Sequence, residues 1–249
     1  MPRYIKMVIS YDGTDFLGWQ IQKRGRTVQG EICRALEKMH RHPVKVTGAG
    51  RTDSGVHALG QVINFETDID SLPAERYWMA LNSYLPGDVK SFSSRQVDHT
   101  FSARYSAVSR EYRYYILFSP VPQPVNRFYS WRVNSCCPDP AALNRLASQL
   151  VGEHDFSTFT FKPEPGSSTI RTITSASFYP DGPFIVFRIV GNGFLRKMVR
   201  ALAGTMVGLV LDGGDSKDLI DRLEKKDNKY SYSPAPAEGL FLYEVVYDE

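Results

Sequence analysis

The sequence predicts an α+β protein in two halves, each built on an antiparallel sheet. Runs of alternating apolar residues recur along all 249 residues, with helical stretches set between them. Those stretches fall too irregularly for the strict strand–helix–strand alternation of a parallel sheet. The length allows one large domain or two small ones, and we divide the chain into residues 1–105 and 106–249.

In order, Tyr4 to Tyr11 alternates with Ile5, Met7 and Ile9 on one face and predicts a strand. Thr27 to His40 is helical, because Val28, Ile32, Leu36 and Met39 form one stripe. Val44 to Thr47 and Gln61 to Phe65 are short strands. Leu72-Pro73-Ala74 starts a helix to about Leu85, stopped by Pro86-Gly87. Val89 to Val97 and Arg110 to Phe118 alternate again, the second with Tyr112, Tyr114, Ile116 and Phe118 on one face. Asp139-Pro140 opens a helix as N-cap and first-turn proline, and Gly152 closes it. Thr169 to Phe178 and Pro183 to Val190 are strands. Phe194 to Leu211 is nearly all apolar and predicts a buried helix, Ser216 to Lys226 an exposed one, and Leu240 to Val246 a last strand.

Composition narrows the function classes. Hydrophobic content of 42%, charged content of 23% and a net charge of +3 are ordinary for a globular protein. The distribution of charge says more. Arg104, Arg110, Arg113, Arg127 and Arg132 face a single acid, Glu111, in that stretch. Arg188, Arg196, Lys197 and Arg200 have no acid between Phe184 and Met206. Such local basic surfaces suit a phosphate backbone, although solvated charged faces look the same. Cys33, Cys136 and Cys137 give neither a disulfide framework nor a metal pair, and the five histidines lack zinc spacing. The N-terminus lacks the apolar core of a signal peptide, and Met198 to Leu211 is too short to span a bilayer. A cytoplasmic protein is the expectation.

Nucleotide cofactors are not expected. Gly48-x-Gly50 has Asp53, and Gly191-x-Gly193 has Arg196, where a dinucleotide fingerprint needs its third glycine. The stretch Gly48-Ala49-Gly50-Arg51-Thr52-Asp53-Ser54-Gly55-Val56-His57-Ala58 carries the clearest chemistry. An arginine neighbour can hold Asp53 ionised, as a nucleophile or base requires. A plain turn in which Asp53 accepts backbone N–H bonds would look alike, and the residues alone leave both readings open. His57 reads as a packed or backbone-bonded imidazole. On one continuous helix Arg196, Lys197 and Arg200 would share a side, and a cation turned inward would need a buried partner such as Asp53. Tyr112 and Tyr114 face one side of an arginine-flanked strand, where they could stack on a base or fill the core.

These segments closely resemble the tRNA pseudouridine synthase A (TruA) family. The matching pieces are Tyr11-Asp12-Gly13-Thr14 with Gly18-Trp19-Gln20, GAGRTDSGVHALGQV, LPAERYWMALNSYLP, Phe101 to Tyr105, REYRYYI, GNGFLRKMVRALAG and AEGLFL. They stand in the family's order over nearly the whole chain, and Ser102 departs from it where many members carry histidine. The resemblance implies two ferredoxin-like, RNA-recognition-like halves whose antiparallel sheets join into one platform with a basic cleft. It implies an isomerase that makes pseudouridine at positions 38 to 40 of the tRNA anticodon stem-loop, working as a homodimer without metal or organic cofactor. Asp53 matches the family's essential aspartate, and Arg51 the arginine that enters the stack and helps flip the base. Tyr112 matches the tyrosine over the uracil, Arg200 a basic partner of the aspartate, and Leu240 an apolar wall of the pocket. The competing reading is a tRNA-binding module of the same fold without chemistry, whose signature would be loss of Asp53.

Overall fold

The computed structural model describes residues 3–161 and 166–248. These are mixed α+β, with ten strands and five α-helices. In chain order they are β1 (Arg3–Tyr11), α1 (Val28–His40), β2 (Thr47–Gly48), β3 (His57–Thr67), α2 (Tyr77–Asn82), β4 (Val89–Val97) and β5 (Ala107–Phe118). Then come β6 (Trp131–Val133), α3 (Pro140–Ser148), β7 (Gly152–Asp155), β8 (Ile170–Asp181), β9 (Phe184–Gly191), α4 (Met198–Leu211), α5 (Ser216–Glu224) and β10 (Leu240–Tyr247). The chain divides into two units, Met1–Val108 with Phe241–Glu249, and Ser109–Leu240. The last strand from Phe241 onward thus goes with the first unit, whereas the sequence places it in the second half. Strand partners far apart in sequence leave no local signal, which is why this pairing was not visible.

In the first unit the strand order is β4, β1, β3, β10, with β2 on β3. Ile5 of β1 lies opposite Phe65 of β3, and Met7 opposite Ile63. All four are buried, as alternation on a half-buried strand requires. Helix α1 starts at the Thr27 hydroxyl, which accepts from the Gly30 N–H at 3.3 Å, and its stripe of Val28, Ile32, Ala35 and Leu36 is buried. His40 at its end bonds Thr67 of β3 at 2.8 Å and meets the Phe65 ring edge-on.

In the second unit the order is β5, β9, β8, β7, with β6 beside β5. Asn144 of α3 holds β8, its amide donating to the Phe178 carbonyl and accepting from the Phe178 N–H, both at 2.8 Å. Asp139 caps α3 by accepting from the Ala141 N–H at 2.9 Å, with Pro140 following it as expected. Helix α4 is buried from Met198 to Val207 except at Arg200, which is half-buried.

Several expectations change. The sheets are not purely antiparallel, since β10 runs parallel to β3 and β6 parallel to β5. The helix expected over 72–85 shortens to a 3-10 turn at Ala74–Arg76 followed by α2. The strand over 44–47 reduces to β2. β6 and β7 were not foreseen, because strands of three and four residues show no period.

The buried helix starts at Met198, not Phe194. Lys197 sits in the left-handed region at φ 62°, and the Arg196 carbonyl accepts from the Phe161 N–H at 3.3 Å rather than continuing a helical ladder. Arg196, Lys197 and Arg200 therefore do not share one helical side. Arg196 is exposed, Lys197 lies over the Phe161 ring, and Arg200 alone belongs to α4.

Candidate active site

The loop from Gly48 to Val56 is fixed from several directions within the first unit. On one side Gln61 of β3, 0% exposed, clasps Gly50. Its side-chain amide donates to the Gly50 carbonyl at 2.8 Å and accepts from the Gly50 N–H at 3.3 Å. A buried primary amide needs both kinds of partner, and this backbone supplies them.

On another side lie the end of β1 and the segment that follows it. The Tyr11 hydroxyl bonds the Thr52 hydroxyl at 2.8 Å, the Trp19 N–H donates to the Thr52 carbonyl at 3.0 Å, and the Ser54 hydroxyl donates to the Phe16 carbonyl at 3.0 Å. The loop closes on itself where the Val56 N–H donates to the Asp53 carbonyl at 3.2 Å. Thr52 is buried, whereas Arg51 is exposed and Asp53 half-buried. Side-chain and backbone bonds together hold the loop, while its two charged side chains stand at or near the surface.

Glycine makes that approach possible. A Cβ on Gly13 would lie 2.1 Å from the Val56 carbonyl oxygen. Gly18 has φ +96°, and a Cβ there would meet the Thr52 oxygen at 2.7 Å. Gly18→Ala combines strain with a backbone clash, so we expect a loss of about 2 kcal/mol or more, checked by urea unfolding. His57 is 1% exposed, its Nδ1 accepts from the Gly13 N–H at 3.0 Å, and its ring stacks on Phe241 at 4.6 Å. It is packed and backbone-bonded, as its sequence context suggested.

The remaining site residues belong to the second unit. Tyr112 on β5 is 8% exposed and opposes Ile189 of β9. The edge of the Tyr112–Phe194 pair, centroids 5.0 Å apart at 77°, sets its ring plane. Tyr114 is fully enclosed, and its hydroxyl donates to the Pro236 carbonyl at 2.7 Å. Burial pushes its phenol well above the ordinary range, Glu238 adding to the effect and Arg200 opposing it. Tyr114 is thus core and not a platform for a base. The Arg200 Nε donates to the Ala235 carbonyl at 2.7 Å, which fixes the base of its guanidinium. Leu240 is 6% exposed at the start of β10.

Next to Tyr112, Glu111 is buried and paired with Arg113 at 2.8 Å and Arg188 at 2.6 Å. Burial alone would raise its carboxyl, yet the two guanidinium groups hold it below the usual value. Ser102, the departure from the family pattern, caps a local turn and accepts from the Tyr105 N–H at 3.4 Å. Among the described residues no group of three or more His, Cys, Asp or Glu side chains is placed to hold a metal, and no helix is long and apolar enough to cross a membrane.

The residues that sequence reading missed here are Gln61, Tyr11 and Trp19. Tyr11 and Trp19 stood in the quoted motifs without a role. Their partners lie 11 to 41 positions away, and the only available signal was a polar Gln inside an apolar strand.

The loop thus presents one half-buried carboxylate beside an exposed arginine, in a chain that also carries basic and aromatic positions. The comparisons are more specific. The sequence pattern described as tRNA pseudouridine synthase matches residues 7–106 and 146–248. The chain is 43% identical to the tRNA pseudouridine synthase A of Treponema denticola, over 98% of this chain and 93% of that relative. It is 40% identical to the enzyme of that name from an Exiguobacterium species, covering 99% of both, and 43% identical to that of Chlorobaculum tepidum, covering 98% of both. The chain belongs to the tRNA pseudouridine synthase family, the isomerases that convert uridine to pseudouridine in tRNA.

Proposed function

We propose that this protein isomerises uridine at positions 38 to 40 of the tRNA anticodon stem-loop, with Asp53 as the nucleophile. The observation that carries this reading is the loop itself, a carboxylate presented half-buried on a backbone held by Gln61, Tyr11 and Trp19. The reaction breaks N1–C1′, turns the uracil and forms C5–C1′. N1 gains a proton, and the C5 proton leaves to solvent. The Asp53 carboxylate adds to the nucleoside, at C6 of the uracil or C1′ of the ribose, and is returned at the end.

A uridine in a stacked stem must first be extruded, at roughly a few kcal/mol. Arg51, exposed beside Asp53, is assigned to entering the vacated stack. Tyr112 is assigned to stacking on the uracil, Leu240 to an apolar wall against it, and Arg200 to a basic partner that keeps the carboxylate ionised. The match of each residue to the family's motifs supports these roles. The same resemblance supports two ferredoxin-like halves, a homodimer and a cytoplasmic address.

The test is an unmodified tRNA transcript with uridines inside and outside the anticodon stem-loop. We expect pseudouridine, mapped chemically after incubation, at positions 38 to 40 alone. Modification confined to another arm of the tRNA overturns the assignment.

A further inference from the structure

We infer that Tyr11 and Gln61 are positioning residues that set the attitude of the Asp53 carboxylate, one from each side of its loop; this rests on the assignment of Asp53 as nucleophile. Neither side chain is placed to touch the reacting atoms through the bonds described, and each acts on a residue next to them. Gln61 makes a two-bond clasp on Gly50, three residues before Asp53. Tyr11 bonds Thr52, the residue immediately before it.

Both anchors are enclosed, with Tyr11 3% exposed and Gln61 0%. Water cannot readily replace either bond, so losing one leaves a buried polar group in search of a partner. The loop between the anchors has no regular secondary structure of its own, so its course depends on these bonds and on the Trp19 and Phe16 backbone contacts. A reacting carboxylate must meet its target atom at about 3 Å and in line, and a displacement near 1 Å can cost about 100-fold in rate.

Tyr11→Phe removes one oxygen and keeps the packed ring. We expect kcat for pseudouridine formation to fall about 10-fold, with KM for tRNA within about twofold and the thermal midpoint down by about 2–4 °C, the protein staying folded at the assay temperature. Thr52→Val breaks the same bond from its other end and has the same effect, while Thr52→Ser restores the rate. Tyr11→Phe with Thr52→Val loses no more than either alone, because both remove one shared bond. Gln61→Met, similar in volume and without polar atoms, lowers kcat at unchanged KM as well.

A full kcat in Tyr11→Phe overturns the inference for Tyr11, as does a double variant whose losses multiply. A Gln61→Met loss that tracks only the unfolded fraction overturns it for Gln61. Asp53→Asn run alongside separates the two levels of failure. Activity retained by Asp53→Asn sinks the nucleophile assignment, whereas an inactive Asp53→Asn beside a fully active Tyr11→Phe sinks the positioning role alone.

Discussion

We expect Asp53→Asn to abolish pseudouridine formation while leaving tRNA binding in place. The amide is nearly the same size as the carboxylate but is neutral and a poor nucleophile, so the loss falls on the chemical step. Removing an attacking side chain costs far more than removing a contact, and we expect at least about a 10⁴-fold fall in rate at saturating tRNA. The dissociation constant stays within about threefold in a gel-shift titration. Phosphate contacts supply most of the affinity for RNA, and one half-buried carboxylate contributes little to them. The thermal midpoint also holds, because Gly50, Thr52 and Ser54 are anchored through bonds that do not use the Asp53 side chain. A stable, tRNA-binding, inactive variant is the expected combination.

Glu111→Gln is expected to lower stability through charge rather than packing. Arg113 of β5 lies directly opposite Arg188 of β9, a like-charge cross-strand pair that is unfavourable by itself. Glu111 bonds both guanidinium groups and neutralises that pair. A fully buried ion pair broken on one side costs about 3–5 kcal/mol. Both arginines here reach solvent, so we expect about 2 kcal/mol, or roughly 4–8 °C in the thermal midpoint of a chain this size.

The pH dependence follows from the depressed carboxyl. Its contribution is present above the ordinary glutamate value near 4.5, where folded and unfolded states are both ionised. It is lost as pH falls from there through the lower folded value, because the unfolded chain takes up the proton first. Midpoints measured from pH 7 down to pH 3 should therefore converge for the wild type and Glu111→Gln.

Much of this was legible where the signal is local. The stripe of Val28, Ile32 and Leu36 gave α1, and Asp139-Pro140 gave the start of α3, because period and capping chemistry lie within a few residues. The run from Phe194 to Leu211 misled for the same reason. An apolar pattern shows that a segment is buried but not that its first turn is helical, and the left-handed Lys197 follows an Arg196 carbonyl that accepts from the Phe161 N–H and the Thr160 hydroxyl. Partner choice was out of reach too, as with β10 beside β3.

In the site, Asp53 and Arg51 were conspicuous as a charged pair between glycines. Gln61 and Tyr11 were not, since their importance lies in which distant backbone atoms they meet. The basic triplet showed the opposite error. Its spacing implied a shared face that the break before α4 removes, leaving Arg200 alone on the helix.

The central claim is that Asp53 performs the chemistry on uridine, and release of the C5 hydrogen reads that chemistry directly. Anticodon stem-loop RNA tritiated at C5 of uridine is mixed with excess protein and quenched over time. The wild type should release tritium from its target uridines to completion, and Asp53→Asn, bound to the same RNA, should release none above background. Release by Asp53→Asn at a rate comparable to the wild type would contradict the account.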